Sequence, residues 1–188
     1  MFETLLALLA RELDRAGIPY MVIGGQAVQL YGEPRLTRDV DLTLGLNSDG
    51  LDRVLAVCGR CGLRPLTADA AAFVRDTMVL PAGDERSGIR VDFIFSATAY
   101  ERQAIDRGRS VELGGARVRF AAVEDVVIHK LVAGRTRDIE DVRTILVKNP
   151  GLDRGYVERW LAEFDRALDR RLAASFSRLL ESSPDKGD

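Results

Sequence analysis

The sequence lacks the features that mark several common classes of protein. Only two of its 188 residues are cysteine and one is histidine, and two cysteines alone cannot complete a structural zinc site. The formal net charge is only -2, so no overall basic field indicates a nucleic-acid partner. No apolar run approaches the roughly 20 residues that cross a bilayer, and charges at Glu3, Arg11 and Glu12 argue against an N-terminal signal peptide. We therefore expect a cytoplasmic protein with no membrane partner.

The two cysteines have the spacing of a thioredoxin-type redox pair. Cys58 and Cys61 enclose Gly-Arg, but a redox pair needs its first cysteine at the start of a helix, where the dipole lowers the thiol pKa. Here the pair follows the helical pattern of residues 51–57 and so lies near a helix end. The pattern favours semi-buried small residues over redox or metal chemistry.

The apolar residues, 46% of the chain, are sufficient for a core, and they follow two periodicities along it. Up to residue 121 strand and helix patterns alternate, whereas only helical patterns follow. These periodicities predict an α/β domain at 1–121, a helical region at 122–181 and a flexible polar tail at 182–188. We predict strands at 20–23, 40–46, 77–80, 89–95, 111–113 and 118–120, and helices at 3–16, 24–31, 49–61, 98–107, 122–132, 137–147 and 153–180.

Three aspartates within strand patterns are the clearest sign of chemistry. Asp39 and Asp41 are two residues apart on one strand, so they point to the same face. Neighbouring carboxylates repel each other, and divalent cations relieve that repulsion. Asp92 stands between core residues of another strand, where a charge is costly unless it is paired or bound to metal. If the two strands are neighbours, the three carboxylates could bridge two metals. The alternatives are a solvated strand end and an Asp92 that pairs with an arginine.

Gly24 and Gly25 lie between a predicted strand and a predicted helix. Glycine lets a backbone approach phosphate oxygens closely, and the free N–H groups at a helix start attract anions. The alternative is an ordinary tight turn. The position just upstream of the aspartate pair favours phosphate binding.

Together these residues resemble the motifs of the DNA polymerase beta-like nucleotidyltransferase superfamily, and most of all its AbiEii and MenT toxin-like branch. The resemblance covers residues 18–146 in pieces. It implies an α+β fold, with a nucleotidyltransferase-like mixed β-sheet flanked by helices and followed by a C-terminal helical bundle. The matching positions are Gly24-Gly25-x-Ala27, Gly32, Arg35-x-Thr37-x-Asp39-x-Asp41-Leu42, Asp92, Glu124-Asp125 and the segment HKLVAGRTRDIEDV at 129–142.

The resemblance also implies an enzyme that moves a nucleoside monophosphate from a nucleoside triphosphate, such as ATP, to an acceptor and releases pyrophosphate. Asp39, Asp41 and Asp92 would be catalytic and would hold Mg²⁺ or Mn²⁺. Lys130 would reach the phosphates, and its neighbours would line the nucleotide or order that lysine. The implied nucleotide-binding residues are Gly24, Gly25, Thr37, Lys130, Arg135, Asp138 and Asp141.

Several of these positions have plainer interpretations. Lys130 could be an ordinary solvated lysine, and Asp138 and Asp141 could form helix-surface pairs with nearby arginines. Gly25 stands where the best-known members of the superfamily have serine, so one hydroxyl contact to phosphate is missing. His129, the only histidine, is given no role.

The acceptor is the least determined part of the prediction. The resemblance suggests RNA, such as a tRNA 3′ end, or a protein hydroxyl as the acceptor, and a role as one component of a toxin–antitoxin pair with a cognate partner. Arginines at 107, 109, 117 and 119 could meet a phosphate backbone, or they could be a solvated hairpin face. The alternatives are a non-catalytic binding partner or antitoxin-like protein that keeps the fold, and modification of a small antibiotic, for which Asp84 and Glu85 are weak candidates for an acidic cleft.

Overall fold

The computed structural model describes residues 2–34, 36–96 and 98–182. Arg35 of the motif above and residues 183–188 of the predicted tail lie outside these ranges. By its internal contacts the chain divides into two compact units, one of residues 1–26 and 36–121 and one of residues 27–35 and 122–188. No sequence pattern indicated that residues 27–34 pack with the second unit.

The first unit contains a mixed sheet. In the described residues the sheet has seven strands in the order β3-β4-β5-β2-β1-β7-β6. Strand β2 pairs in parallel with β5, and β1 pairs in parallel with β7, while the other pairs are antiparallel. This sheet confirms the predicted α+β fold class. The strands are β1 (Tyr20–Ile23), β2 (Asp39–Gly45), β3 (Leu63–Pro65), β4 (Val79–Asp84), β5 (Arg90–Ser96), β6 (Arg109–Leu113) and β7 (Ala116–Phe120).

Helices cover parts of this sheet. Helix α1 packs against β7 and α3 and buries Leu6, Leu9 and Leu13, each of which stabilises the fold by about 1.5–3 kcal/mol. Helix α2 follows β1 directly, and from Ala27 onward its residues belong to the second unit. The helices that begin in this unit are α1 (Phe2–Arg15), α2 (Gly24–Tyr31), α3 (Leu51–Cys61), α4 (Ala70–Thr77) and α5 (Ala99–Arg107).

Two elements of the first unit escape the sequence patterns, and one predicted helix start is wrong. Strand β3 has only three residues, too few to show an alternation, and α4 was not predicted, although the Asp69 carboxylate caps it by accepting from the Ala72 amide at 2.9 Å. The helix predicted from residue 49 begins as a 3-10 turn at Ser48–Gly50, and Asn47 makes no side-chain cap.

The second unit is helical. Its helices are α6 (Val123–Ala133), α7 (Thr136–Lys148), α8 (Arg154–Leu168) and α9 (Leu172–Ser182), and α6 contacts each of the other three. The single stretch predicted at 153–180 is two helices, because Asp169 adopts a left-handed conformation at φ 51°. The Asp165 carboxylate then accepts from the amides of Leu172 and Ala173 and so caps α9. None of the helices in the described ranges is long and apolar enough to cross a membrane.

Candidate active site

Asp39, Asp41 and Asp92 lie on one face of the sheet. On β2 the aspartates alternate with Val40 and Leu42, which are fully buried. Asp41 is paired with Asp92 across the parallel β2–β5 ladder, and partners in a ladder point to the same side. The same face therefore holds carboxylates from two adjacent strands, while their apolar neighbours form the core on the other side.

Gly24 brings the start of α2 against this face. Its φ of +64° lies in the left-handed region, and a Cβ atom built on it would come within 1.9 Å of the Asp41 carboxylate oxygen. A side chain at position 24 is excluded both by backbone conformation and by space. The glycine thus allows the backbone at the start of α2 to touch the aspartate cluster, where the helix dipole favours negative charge.

Thr37 is held by a residue that the sequence patterns did not single out. The Gln26 amide nitrogen donates to the Thr37 hydroxyl oxygen at 2.6 Å, and Gln26 is buried. The bond joins the first turn of α2 to the loop that leads into β2. A polar residue directly after the double glycine was the available signal for it.

Arg90 is a second residue that the sequence patterns missed. It lies two residues before Asp92 on β5, and its Nε donates to the Asp92 carboxylate at 2.9 Å. This hydrogen bond is the main cause of a raised Arg90 pKa, and the charges of Asp39 and Asp41 raise it further. The predicted alternative, an Asp92 paired with an arginine, is therefore present within the cluster itself. The period-two alternation of β5 could have shown that Arg90 shares the face of Asp92.

The donor set suits a hard divalent cation. All three side chains offer carboxylate oxygens, which Mg²⁺ and Mn²⁺ prefer. Within the described ranges, no three His, Cys, Asp or Glu side chains are arranged to hold a metal by themselves. Mg²⁺ is commonly held by one or two protein carboxylates while substrate phosphates and water complete its shell. A metal at this cluster would therefore need further oxygen ligands beyond the three carboxylates.

A second charged cluster lies within the second unit. The Lys130 ammonium contacts the Asp138 carboxylate at 2.7 Å and the Asp141 carboxylate at 2.8 Å, and all three side chains are less than 10% exposed. Lys130 is therefore not an ordinary solvated lysine. Because both carboxylates neutralise it, it acts in this cluster as a fixed internal cation.

Arg135 is the exposed member of the second cluster. Its Nε donates to the Asp138 carboxylate at 2.6 Å, although its side chain is 77% exposed. Burial tends to raise the pKa of Asp138, but the hydrogen bonds from Arg135 and Lys130 and their charges hold that pKa below its usual value. Asp138 thus links a buried cation to an accessible guanidinium.

The Glu124-Asp125 pair of the motif fixes helix α8 inside the second unit. The Tyr156 hydroxyl donates to the Asp125 carboxylate at 2.9 Å, and the Asp153 amide donates to Glu124 at 3.1 Å. Asp125 has no exposed surface. These contacts give both acidic residues a role in packing.

The cysteine pair is buried and unreactive. Burial, with the nearby Cys61, raises the pKa of Cys58 to about 12, and burial raises the pKa of Cys61 to about 11. Both thiols therefore stay protonated at neutral pH, and thiolate is the form that redox chemistry and metal binding require.

The arginines of the β6–β7 hairpin do not form a single basic face. Arg117 and Arg119 share one side of β7 with Glu112, which is paired with Arg117 in the ladder and contacts its Nε at 3.3 Å. Arg109 is paired with Phe120 and so lies on the other side. This arrangement favours a solvated hairpin over a phosphate-binding surface.

Asp84, a candidate for an acidic cleft, is bonded locally, since its carboxylate accepts from the Ser87 hydroxyl.

Comparisons with known proteins agree with this fold. Among solved structures, ANT(2'')-Ia in complex with adenylyl-2''-tobramycin is 19% identical with a TM-score of 0.60, and the match covers 89% of this chain and 98% of that one. A nucleotidyltransferase-like antigenic protein from Paracoccidioides brasiliensis is 18% identical with a TM-score of 0.59, covering 96% and 92%. At these identities the likeness shows the fold alone. No curated protein matches the sequence.

The fold is therefore one that nucleotidyltransferase-like proteins also have. The sequence matches the family described as nucleotidyl transferase AbiEii toxin, type IV TA system, over residues 7–186. Because that match spans nearly the whole chain, the protein belongs to the AbiEii nucleotidyltransferase family. The predicted resemblance and the predicted enzyme class are confirmed.

Proposed function

We propose that this nucleotidyltransferase requires Mg²⁺ or Mn²⁺, bound by Asp39, Asp41 and Asp92 together with a nucleoside triphosphate. The observation that carries the proposal is the pairing of Asp41 with Asp92 across the β2–β5 ladder, together with the close approach of Gly24 to the Asp41 carboxylate. A bound metal would supply charge to stabilise the phosphates and the leaving pyrophosphate. Gly24 and Gly25 would bring backbone N–H groups to the triphosphate, and Gln26 would fix Thr37 beside them.

The transfer would proceed by in-line displacement at the α-phosphorus. An acceptor hydroxyl oxygen forms the new P–O bond, the bond to the bridging oxygen of the β-phosphate breaks, and pyrophosphate leaves. Asp92 would act with Asp39 and Asp41 either as the third metal ligand or as the base that takes the hydroxyl proton. The products are an acceptor carrying the nucleoside monophosphate and free pyrophosphate.

Lys130, Arg135, Asp138 and Asp141 stay predicted for nucleotide binding. The contacts within the second unit support Arg135 as the group that meets a phosphate, because its guanidinium is exposed and held by Asp138. Lys130 would order that carboxylate from inside, since both of its carboxylate partners are buried with it.

For the acceptor we propose RNA, a tRNA 3′ end, with the protein acting in the cytoplasm as one component of a toxin–antitoxin pair that has a cognate partner. The family description supports the toxin–antitoxin role, whereas the RNA acceptor rests on the motif resemblance alone. A protein hydroxyl, a small antibiotic and a purely binding role are the competing outcomes. The hairpin arginines give the RNA proposal no separate support.

One labelling experiment tests these assignments. The protein is incubated with each α-labelled nucleoside triphosphate, with Mg²⁺ or Mn²⁺, and with total tRNA, cell lysate or an aminoglycoside. Asp41→Asn removes a metal ligand, and Asp52→Asn, on the exposed side of α3, is the matched control. Label in tRNA that depends on metal and disappears only in Asp41→Asn supports the proposal. Label in protein or antibiotic changes the acceptor, and nucleotide binding without transfer to any acceptor contradicts catalysis.

A further inference from the structure

Arg90 is a cation that lies on the aspartate cluster. Its Nε contacts the Asp92 carboxylate at 2.9 Å, and on the next strand it is paired with Asp39, just as Asp92 is paired with Asp41. The four side chains therefore form two adjacent rows on one face: Asp39 with Arg90, and Asp41 with Asp92. A guanidinium in this position offsets the repulsion among the carboxylates.

Two cations would compete for the Asp92 carboxylate, the Arg90 guanidinium and the divalent metal of the proposed function. Arg90 engages one oxygen of this carboxylate, Oδ1. A divalent metal on the same carboxylate would compete with Arg90 for its negative charge, and the positive guanidinium would repel the metal. The Arg90 side chain is half exposed, and a bond of that kind is weak enough to exchange. Deeply buried pairs, such as the one at Lys130, cannot exchange in this way.

The displaced guanidinium has space to occupy. Arg90 also lines a cavity of about 370 Å³, together with Leu66, Gly83 and Ile89 and the ion pair of Arg64 with Glu85. The ladders pair Arg64 with Gly83 and Gly83 with Arg90, so the cavity is on the same face as the aspartates. A guanidinium released from Asp92 would have this cavity beside it.

We propose that Arg90 is the resident counter-ion of the aspartate cluster and that a divalent metal displaces its guanidinium from Asp92. Arg90 is a positioning residue in this scheme, because it sets the affinity of the carboxylates for metal. Free metal alone then binds poorly, whereas metal that arrives with a triphosphate brings further ligands and negative charge that offset the loss of the ion pair. The inference rests on the metal site of the proposed function.

The test is calorimetric titration of the purified protein with Mn²⁺, without nucleotide, so that no turnover is involved. For Arg90→Gln we expect Mn²⁺ to bind about fivefold more tightly than to the unaltered chain, the size of a half-exposed ion pair. Arg90→Lys keeps the positive charge and should bind nearly as the unaltered chain does. Arg64→Gln is the matched control, because it removes an arginine of the same cavity that does not touch the aspartates, and its affinity should be unchanged.

Thermal unfolding in metal-free buffer gives a second measurement. Arg90→Gln removes the cation bound to Asp92 and should unfold at a lower temperature than Arg64→Gln, with the difference disappearing at saturating Mn²⁺.

Equal or weaker Mn²⁺ binding by Arg90→Gln overturns the role of Arg90. The same titrations are repeated with a triphosphate analogue whose α,β bridge is methylene. If Mn²⁺ then binds to the unaltered chain, the metal site survives the failure of the Arg90 proposal. If no variant binds Mn²⁺ under either condition, the proposed metal site is also wrong.

Discussion

The two charged clusters of this protein use the same residue types in opposite ways. In the first unit three aspartates face a half-exposed arginine, and the start of a helix abuts one of them. In the second unit a lysine is enclosed with two aspartates and hardly reaches solvent. An open cluster can exchange its cation for a ligand, whereas a closed one is held by the cost of leaving a buried charge unpaired. Burial therefore separates the half-exposed Arg90–Asp92 pair, which can exchange, from the enclosed pairs of Lys130, which are held in place.

Removing the enclosed cation should have the largest effect on stability. Lys130→Met removes the buried cation that contacts both Asp138 and Asp141 and leaves Asp138 with its exposed partner Arg135, so we expect the free energy of unfolding to fall by about 3–5 kcal/mol. Urea denaturation measures it. Lys148→Met is the control, because Lys148 pairs with Glu33 at the surface and should cost about 1 kcal/mol or less. Similar losses in the two variants would contradict the distinction between the clusters.

The contact of Gly24 with Asp41 can be tested next. Gly24→Ala combines a left-handed backbone with a collision at Asp41, and we expect a loss of about 2–4 kcal/mol in unfolding free energy together with loss of transfer activity. Gly115→Ala is the control, since Gly115 has φ +72° but no atom within 4 Å of its added Cβ. That change should cost about 1 kcal/mol. If the two substitutions lower the unfolding free energy equally, the close approach of Gly24 to Asp41 does not contribute to stability.

An exchange of charge for amide in each cluster makes the comparison direct. Asp41→Asn should lower transfer about a hundredfold, because a metal ligand is lost, and should change stability by only about 0.5 kcal/mol. Asp138→Asn should lower stability by about 2 kcal/mol, since Lys130 loses a charged partner. Kinetics and urea denaturation of the same two preparations give both quantities. A stability loss in Asp41→Asn equal to that of Asp138→Asn would show that both clusters are structural.

The smallest expected effect is on acid stability. The pKa of Asp138 in the folded protein lies below its value in the unfolded chain, which is about 3.9. Its contribution to stability is therefore complete above about pH 4 and is lost as pH falls through the lower folded-state pKa. Asp138→Asn should make the unfolding free energy less dependent on pH below 4. An unchanged slope in that range would contradict a lowered pKa.

Local patterns predicted what depends on neighbouring residues. Alternation within β2 placed Asp39 and Asp41 on one face, and the apolar residues around Asp92 marked it as unusual. They could not give the pairing of Asp41 with Asp92, because ladder register depends on strands far apart in the chain. The hydrogen bond from Arg90 to Asp92 was not predicted either, although the two residues are only two positions apart on the same strand.

The enclosure of Lys130 was accessible in part. Helix α6 is apolar around most of its circumference, with Val126, Val127, Ile128 and Leu131 all buried, and a helix of that kind is normally covered on every side. A lysine within it therefore needs acidic partners. Which carboxylates would supply them depended on how α7 packs. The break between α8 and α9 was hidden for another reason, since the residues around Asp169 are ordinary helix formers.

The space that Gly24 leaves for Asp41 has a consequence for tracing the history of related chains. Any other amino acid at position 24 would have to displace the carboxylate at position 41, so the two sites cannot drift independently. A relative that has abandoned transfer and kept only a binding role is released from this constraint. In such a lineage a residue other than glycine at position 24 would indicate that transfer activity has been lost, even where all three aspartates are still present.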